Sequence, residues 1–259
     1  MSAPEDGARA EGQPPRVAVV TGAAGGLGGA IATRLYDRGY RVALTDLDGE
    51  AAGAAAERLD PTGETALGLA LDVREREEFV RVRDEVAERW GAVHLLVNNA
   101  GHSKVESLMD ISPESFRDVV GTNLDGTFFG CQVFGRYFAE REYGRIVNIG
   151  SLAGQNGGTA TGAHYAAAKG GVATLTKVFA RDLAPRGVTV NAVSPGPQDL
   201  PVVRRTVAPD KLAETEAMIP VGRLGRPQFI ADMVVLLAAE HADTVTGACW
   251  DANGGLFMR

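Results

Sequence analysis

The chain has 259 residues, and 45% of them are hydrophobic, which is enough to bury a sizeable core in one α/β domain. Its formal net charge is −7, from 26 Lys and Arg residues against 33 Asp and Glu residues. This acidic balance, with no basic cluster longer than Arg204-Arg205, argues against nucleic acid or an anionic membrane as a partner and favours a small-molecule ligand.

Cysteine usage and the start of the chain add to these expectations. Cys131 and Cys249 are the only cysteines and match no metal or redox spacing, and the four histidines are scattered, so we predict no metal site and a cytoplasmic location. Residues 1–15 are rich in Ala, Gly, Pro and Glu and lack the apolar core of a signal peptide, which predicts a disordered tail. No apolar run approaches the ~20 residues that a membrane span needs.

The first predicted element is a strand at Val17–Val20, followed by the glycine-rich turn Thr21–Gly28 and a helix. Glycine suits a phosphate site here, because a Cβ atom would keep the backbone away from a pyrophosphate that the helix amides stabilise. The spacing of Gly22, Gly26 and Gly28 differs from the GxGxxG fingerprint. The turn alone is therefore compatible with a purely structural loop.

The second predicted strand ends in an acidic residue, Asp46, about 20 positions beyond the glycines, where a carboxylate can bind the adenosine ribose of a dinucleotide. Asp46 could instead start a turn or cap the next helix. The ribose role is favoured because the glycine turn and the acid occur together. Gly25 and Leu47 hold the positions where a cation would accept a 2′-phosphate, so we expect NAD(H) rather than NADP(H).

Helices and strands continue to alternate along the rest of the chain. Helices are predicted at about 50–59, 74–90, 113–139 and 163–184, and strands at 66–71, 93–97, 145–149 and 188–193. The strands are nearly all apolar, and the helices between them are long enough for parallel crossovers. We therefore predict a doubly wound α/β sheet in a single domain over residues 16–259.

A chemical signal lies between Ser151 and Lys169. Tyr165 and Lys169 stand four residues apart on a predicted helix, so their side chains share one face and the ammonium lies below the phenol. A nearby cation favours the phenolate and is expected to lower the pKa of Tyr165 from its usual value of about 10. Ser151 follows a predicted strand and could bond a substrate oxygen. The pair could also be an accidental neighbour pair on a helix surface.

With these segments in place, the sequence resembles the short-chain dehydrogenase/reductase family over residues 16–259. The matching stretches are Thr21–Gly28 (TGAAGGLG), Asp72-Val73, Asn98–Gly101 (NNAG), Asn123, Ser151, Tyr165–Lys169 (YAAAK), Asn191–Gly196 (NAVSPG) and Asn253–Gly255 (NGG). The resemblance implies a Rossmann fold with about seven parallel strands and helices on both faces, a nicotinamide cofactor, and a catalytic tetrad. The tetrad is Asn123, Ser151, Tyr165 and Lys169, although an Asn inside a helix can also simply face solvent.

The resemblance also implies a set of cofactor contacts. They are Gly22, Gly26, Leu27, Gly28, Asp46, Leu47, Asp72, Val73, Asn99, Ala100, Gly101, Tyr165, Lys169, Pro195, Gly196 and Gln198. Asp72 and Val73 would flank the adenine, Lys169 would hold the nicotinamide ribose, and Pro195 and Gly196 would border the nicotinamide. Where the family usually has a Thr that helps hold the carboxamide, this chain has Leu200, so that contact must come from Gln198, from backbone, or be missing.

These features predict an NAD(H)-dependent oxidoreductase that interconverts a secondary alcohol and a ketone. The stretch Pro220–Pro227 and the NGG ending resemble 3-oxoacyl-thioester reductases, while dihydrodiol, sugar or steroid dehydrogenases remain alternatives. A cofactor-binding protein without turnover would be expected to have lost Tyr165 or Lys169. Residues 197–219 are predicted to form a substrate lid, and either of two histidines, His102 or His164, could border the substrate or simply pack.

Two predicted helices carry more apolar residues than one face against the sheet requires. These residues are Phe128, Phe129, Phe134, Phe138, Leu175 and Phe179. A second buried face is indicated, and relatives bury such helices between subunits. We therefore expect a homotetramer or a dimer.

Overall fold

The computed structural model describes residues 15–158 and 162–259, and the predicted tail lies outside these ranges except for its last residue. Seven strands form one sheet: β1 Val17–Thr21, β2 Arg41–Asp46, β3 Ala66–Ala70, β4 Leu95–Asn98, β5 Gly144–Ile149, β6 Val188–Pro195 and β7 Cys249–Ala252. All neighbours pair in parallel, in the order β3-β2-β1-β4-β5-β6-β7. The predicted doubly wound fold of about seven parallel strands is confirmed.

Ten α-helices accompany the sheet in the described part of the chain. They are α1 Gly26–Asp37, α2 Gly49–Leu59, α3 Arg76–Trp90, α4 Pro113–Val120, α5 Gly126–Ala139, α6 Ala153–Asn156, α7 Ala163–Leu183, α8 Pro201–Thr206, α9 Pro209–Met218 and α10 Pro227–Ala238. None of the described helices is long and apolar enough to cross a membrane.

Side chains that alternate along each strand fill two apolar layers, one on each face of the sheet. In β1, Ala18 and Val20 face the layer that includes α1 and α10, whereas Val17 and Val19 face the layer that includes α3 and α5. Both faces of the sheet are therefore covered, as the apolar strands predict. The strand order reverses between β1 and β4, and a crevice at the carboxyl ends of these strands is where such folds bind ligands.

The helix predicted over 113–139 is not continuous, because a π-helical turn, Gly121–Asp125, separates α4 from α5. The side-chain amide of Asn123 donates to the Val119 carbonyl over 2.9 Å, and the Thr127 hydroxyl donates to the Asn123 carbonyl over 2.9 Å. Side chains thus bond to carbonyls that a regular helix would pair with backbone amides. Such turns are frequent at functional sites, and this one buries Asn123 completely.

Candidate active site

The glycine-rich turn between β1 and α1 is shaped for close backbone contact. Gly22 has φ +63°, and a Cβ atom there would lie 2.8 Å from Ala100 Cα. A Cβ atom at Gly28 would overlap the Gly22 carbonyl, whereas no described protein atom lies within 4 Å of the Cβ positions of Gly25 and Gly26. Helix α1 begins without a capping side chain or an acid in its first turn. This open side, with free helix amides, fits a pyrophosphate.

The segment after β4 supports the glycine-rich turn from the side. Asn99 donates through its side chain to the Thr21 carbonyl over 2.9 Å and to the Gly22 carbonyl over 3.0 Å. The backbone amides of Asn99 and Ala100 donate to the Thr21 hydroxyl over 3.0 and 2.9 Å. Asn99 therefore holds the turn in shape, and Thr21 is a supporting residue that sequence reasoning did not single out.

Asp46 ends β2 next to the same turn. Its Oδ2 atom accepts a hydrogen bond from the Ala24 amide over 3.1 Å. The cap of α2 is the next acid along, Asp48, which accepts from the Ala51 amide, so the alternative that Asp46 caps this helix is wrong. Within residues 15–158 and 162–259 no Lys or Arg forms an ion pair with Asp46, and the neighbouring Leu47 is 68% exposed.

The Asp72-Val73 pair follows β3. Arg74 binds the Asp72 carboxylate through its guanidinium at 2.6 Å, and this hydrogen bond is the main reason that the pKa of Asp72 lies below its usual range. Val73 is 7% exposed and packs in the core, where a Cβ atom at Gly126 would lie 2.9 Å from it. An adenine at this edge would meet a charged Asp72 that Arg74 already orients.

Three of the predicted tetrad residues meet beyond the carboxyl end of β5. The Ser151 side chain lies near the Tyr165 hydroxyl and acts to lower its pKa, and Ser151 Oγ accepts a hydrogen bond from the Ala153 amide over 3.1 Å. Lys169, one turn along α7, places its Nζ atom 5.8 Å from the centroid of the Tyr165 ring. Nζ also donates to the Ile149 carbonyl over 2.7 Å, so the last residue of β5 anchors the lysine.

The fourth residue, Asn123, reaches the same place from the π-helical turn. Its amide nitrogen donates to the carbonyls of His102 and Val119 over 2.8 and 2.9 Å, and its buried Oδ1 atom has no hydrogen-bond partner. A Cβ atom at Gly101 would overlap Asn123 Oδ1 and lie 3.6 Å from Lys169 Nζ. Gly101 therefore keeps open the space between these two polar groups, which suits the place in the tetrad that the resemblance implies for Asn123.

Burial dominates the ionisation of the two central residues. It raises the pKa of Tyr165, against a smaller opposing effect of the Ser151 hydrogen bond. The expected lowering of the Tyr165 pKa by Lys169 is therefore wrong. Lys169 is itself only 4% exposed, and burial lowers its pKa to about 8. Both residues are held in their neutral forms more strongly than in water, because the charged form of each loses hydration.

The two histidines near the site are engaged by acids. His164 is completely buried, and its Nε2 atom lies 3.0 Å from a Glu106 carboxylate oxygen. His102 lies 3.1 Å from Asp118, which also binds Lys104 at 2.9 Å. Of the two predictions for His164, that it packs inside the protein is therefore the correct one, because a completely buried side chain cannot contact a substrate. No pattern in the sequence pointed to Glu106.

The segment after β6 borders the site on the other side. A Cβ atom at Gly196 would lie 2.8 Å from Asn253 Cα, so this glycine is a requirement of close packing. Gln198 donates to the Gly196 carbonyl over 3.1 Å, and its buried Oε1 atom has no partner. It lines a pocket of about 520 Å³ together with Leu224 and Asn253. The amide of Gln198 is thus turned toward its own backbone and not outward.

Residues 197–219 fold into α8 and α9 over a small apolar cluster made of Leu212 and Ile219 together with Leu224, which follows the segment. Arg204 ties the two helices together, at 2.7 Å from Asp199 and 3.6 Å from Glu216. In the described part of the chain, no group of three or more His, Cys, Asp or Glu side chains could hold a metal ion.

Known proteins resemble this chain along nearly its whole length. The model of the family described as "Enoyl-(Acyl carrier protein) reductase" matches residues 22–257. A 3-oxoacyl-(acyl-carrier-protein) reductase of Vibrio harveyi is 39% identical over 243 residues, covering 94% of this chain and 98% of the relative. The enzyme of the same name from Escherichia coli strain K12 is 38% identical over 245 residues, with the same coverage of 94% and 98%.

Two solved structures share the fold. A short chain dehydrogenase from Bacillus anthracis superposes with a TM-score of 0.85 at 29% identity, covering 94% of this chain and 97% of the other. A single-residue variant of actinorhodin polyketide ketoreductase, solved with NADPH, superposes with a TM-score of 0.87 at 36% identity, covering 93% and 97%. This chain thus belongs to the short-chain dehydrogenase/reductase family and is an oxidoreductase that acts on CH–OH groups with a nicotinamide cofactor.

Proposed function

We propose that this protein interconverts a ketone and a secondary alcohol with NAD(H), and that its substrates are 3-oxoacyl thioesters. The observation that carries the proposal is that Ser151, Tyr165 and Lys169 meet beyond β5, with Asn123 beside them. The Ser151 side chain is near enough to the Tyr165 hydroxyl to oppose the rise of its pKa, and Lys169 Nζ lies 5.8 Å from the Tyr165 ring centroid. Two hydroxyls that face one space can both bond a single substrate oxygen, which is what reduction of a carbonyl requires.

A nicotinamide cofactor, when bound, supplies the hydride for the carbonyl carbon. The residues of this chain bind the carbonyl oxygen of the substrate and supply the proton that it receives. Ser151 donates a hydrogen bond that orients the carbonyl oxygen, and Tyr165 donates its proton as negative charge develops there. Because burial raises the pKa of Tyr165, the phenol keeps its proton near neutrality and is ready to act as the acid.

Lys169 and Asn123 act on the charge that the proton leaves behind. The Lys169 ammonium, 5.8 Å from the Tyr165 ring centroid, stabilises the phenolate in a site where low dielectric strengthens the attraction. Asn123 presents its unpaired Oδ1 atom to the space beside Lys169 Nζ. An acceptor in that position suits a relay that returns a proton through Lys169 to Tyr165.

NAD(H) is the cofactor we propose, because the adenosine 2′ position would face the Asp46 carboxylate. A 2′-phosphate would carry about −1.5 to −2 charges near neutrality, by analogy with other phosphomonoesters, and Asp46 would repel it. Free ribose hydroxyls would instead donate hydrogen bonds to Asp46. Gly25 and the exposed Leu47 offer no compensating cation. The ketoreductase relative was solved with NADPH, so this preference would separate the two proteins.

The names of the relatives and the surface of the proposed lid support the substrate class. Two relatives are named 3-oxoacyl-(acyl-carrier-protein) reductases, and a third is a polyketide ketoreductase. Dihydrodiol, sugar and steroid dehydrogenases could use the same tetrad. In the lid, residues 197–219, Val202 and Met218 are 47% and 66% exposed, and such apolar side chains favour an acyl chain over a sugar.

The cytoplasm is the location we propose. Cys131 and Cys249 are both free thiols, the first buried and the second half-buried. Burial raises the pKa of Cys131 to about 12, so this thiol is unreactive near neutrality. Such cysteines contribute packing and fit a reducing compartment.

Turnover of the purified full-length protein tests the proposed reaction. Oxidation of NADH, and separately of NADPH, would be followed with a 3-oxobutanoyl thioester, simple ketones, a keto sugar and a keto steroid, each at several concentrations. The expected result is the highest kcat/KM with the thioester. A higher value with the sugar or steroid would replace the substrate class, and no turnover with any carbonyl compound or, in reverse, any secondary alcohol would overturn the function.

A further inference from the structure

His164 is a completely buried titratable side chain that the proposed chemistry does not use, although it immediately precedes Tyr165. Both nitrogens of its ring have partners. Nδ1 accepts a hydrogen bond from the backbone amide of Tyr165 over 2.9 Å, and Nε2 lies 3.0 Å from Oε2 of Glu106, 58 residues away in sequence. The ring therefore lies between the start of α7 and the segment that follows β4.

These contacts determine which nitrogen carries the proton. A backbone N–H can only donate, so Nδ1 of His164 accepts and holds no proton. The neutral ring then has its proton on Nε2, and this N–H donates to the Glu106 carboxylate. Hydrogen bonds from Ser115 and His164 hold the pKa of Glu106 below its usual range, so the acceptor is ionised and the bond is charge-assisted.

The Nδ1 contact caps the helix that carries the proposed acid. The N-cap of α7 is Gly162, which has no side chain to bond the first amides of the helix. The amide of Tyr165 is in that first turn, and besides the Gly162 carbonyl at 3.1 Å it has His164 Nδ1 as a partner. The ring packs so closely on Gly162 that a Cβ atom there would overlap it.

The Nε2 contact reaches a segment that we call the β4 loop, residues 99–107. This loop is tied to the site at two further points: the Gly162 amide donates to the Lys104 carbonyl over 3.0 Å, and Asn123 donates to the His102 carbonyl over 2.8 Å. Glu106 also accepts from the Ser115 hydroxyl in α4. Glu106 is thus the point at which the far end of the β4 loop is attached to both α4 and α7.

We propose that His164 is a positioning residue, which fixes the Tyr165 backbone through Nδ1 and holds the β4 loop against α7 through Nε2. This inference rests on the proposed role of Tyr165 as the acid. The two bonds have separate consequences. Loss of the first displaces the Tyr165 hydroxyl and slows the proton transfer, whereas loss of the second loosens one wall of the site and weakens binding of the carbonyl substrate.

Two amide substitutions separate the two bonds. In His164→Asn the side-chain oxygen can take the place of Nδ1 and accept from the Tyr165 amide, but the side chain is too short to reach Glu106. In His164→Gln the longer amide can place its NH₂ near Nε2 and donate to Glu106, but it has no acceptor in the position of Nδ1. Glu106→Gln weakens the second bond from the other side and leaves the cap intact.

The measured quantities are kcat, KM for the carbonyl substrate, KM for the cofactor and the melting temperature. We expect His164→Gln to lower kcat by about tenfold to a hundredfold, since a displacement of ~1 Å can cost that much, with substrate KM nearly unchanged. We expect His164→Asn and Glu106→Gln to raise substrate KM about three- to tenfold while kcat stays within about threefold of wild type. Cofactor KM should not change in any of the three.

A merely structural histidine would give a different pattern. Both His164 variants would then have a lower melting temperature and a smaller active fraction, with no difference between them in how kcat and KM change. That result would overturn the proposal. Wild-type kcat and KM in both variants would overturn it as well. Tyr165→Phe, measured in parallel, keeps this test apart from the proposed function. If that variant remains active, the role of Tyr165 fails whatever the His164 variants do.

Discussion

Lys169 combines a buried position with a positive charge that the chemistry requires. The residue is 4% exposed and its ammonium donates to the Ile149 carbonyl over 2.7 Å, and burial lowers its pKa to about 8. The ammonium is fully formed below that pH and is lost as the pH rises through it. Tyr165, whose pKa is raised, stays protonated over the same range.

The rate of carbonyl reduction should therefore fall on the alkaline side with a midpoint near pH 8, where Lys169 loses its proton. The sign follows because reduction needs protonated Tyr165 and charged Lys169, and rising pH removes the lysine proton first. The check is kcat/KM for the ketone between pH 6 and 10, which reports ionisations of the free enzyme. A profile that stays flat to pH 9.5 would contradict this assignment.

Tyr165→Phe removes the proton donor and keeps the ring in its half-buried position. We expect kcat to fall by at least about 10²- to 10⁴-fold, the range ascribed to general acid catalysis, with cofactor affinity nearly intact. Tyr36→Phe, the same chemical change in α1, serves as the matched control and should leave kcat unchanged. Residual activity within tenfold of wild type would show that another group supplies the proton.

Asp46→Ala removes the carboxylate that is proposed to select the cofactor. Wild type should prefer NADH over NADPH by at least about tenfold in kcat/KM, which corresponds to about 1.4 kcal/mol. The variant should lose most of that preference, partly through weaker use of NADH and partly through better use of NADPH. Asp48→Ala, which removes the α2 cap two residues on, is the control and should not alter the preference. Equal use of both cofactors by wild type would refute the role of Asp46.

Some properties of these residues could be predicted from local sequence and others could not. The spacing of Tyr165 and Lys169 is enough to place both on one helix face, because helix geometry is local. The direction of the Tyr165 pKa shift depends on burial by distant elements, and here burial outweighs the nearby charge. The Glu106–His164 contact joins residues 58 positions apart, and no spacing rule connects them.

At the scale of elements, the π-helical turn Gly121–Asp125 contributes to the stability of the fold and also carries Asn123, a residue of the proposed tetrad. Asn123→Ala removes hydrogen bonds from two carbonyls, the buried one of Val119 and the partly buried one of His102, and an unpaired buried group costs about 1–3 kcal/mol. We expect a lower urea midpoint as well as slower turnover. Thr122→Ala, which removes only the hydroxyl bond to the Asp118 carbonyl in the same turn, should change both much less.

That experiment also distinguishes a structural Asn123 from a catalytic one. An Asn123→Ala variant that loses stability but keeps wild-type kcat, measured well below its unfolding midpoint, would leave Asn123 with a structural role only.

Regular strands and helices were predictable because their apolar periodicity is a local pattern, and α7 begins at residue 163 as that pattern indicates. The π-helical turn was not predictable, since it arises from side-chain bonds to particular carbonyls in the folded protein.

At the scale of the molecule, α5 and α7 share an aromatic surface. Phe134 and Phe138 are buried in the core, whereas Phe128, Phe129 and Phe179 are half-buried. The ring centroid of Phe128 lies 5.8 Å from that of Phe129 and 5.8 Å from that of Phe179. This surface is the second apolar face that the sequence predicts. We propose that it packs against another copy of the chain in a dimer or homotetramer.

Light scattering at micromolar concentration should therefore give a mass of two or four chains. Phe128→Glu would place a charge in the half-buried aromatic surface and should lower that mass, because burying an unpaired charge is costly. Arg136→Glu, an exposed change on α5, is the control and should leave the mass unchanged. A wild-type protein that is monomeric under these conditions would contradict the proposed assembly.

The bonds that connect Asn99 and Ala100 to Thr21 have a consequence for the order of folding. The glycine-rich turn is complete in sequence once α1 has been synthesised, but its carbonyls at Thr21 and Gly22 are held by Asn99, which follows β4. During synthesis the N-terminal βαβ portion therefore emerges without the support that shapes its phosphate site. We therefore expect the cofactor to stabilise the nascent chain once β4 has paired with β1, so that binding accompanies assembly of the sheet centre.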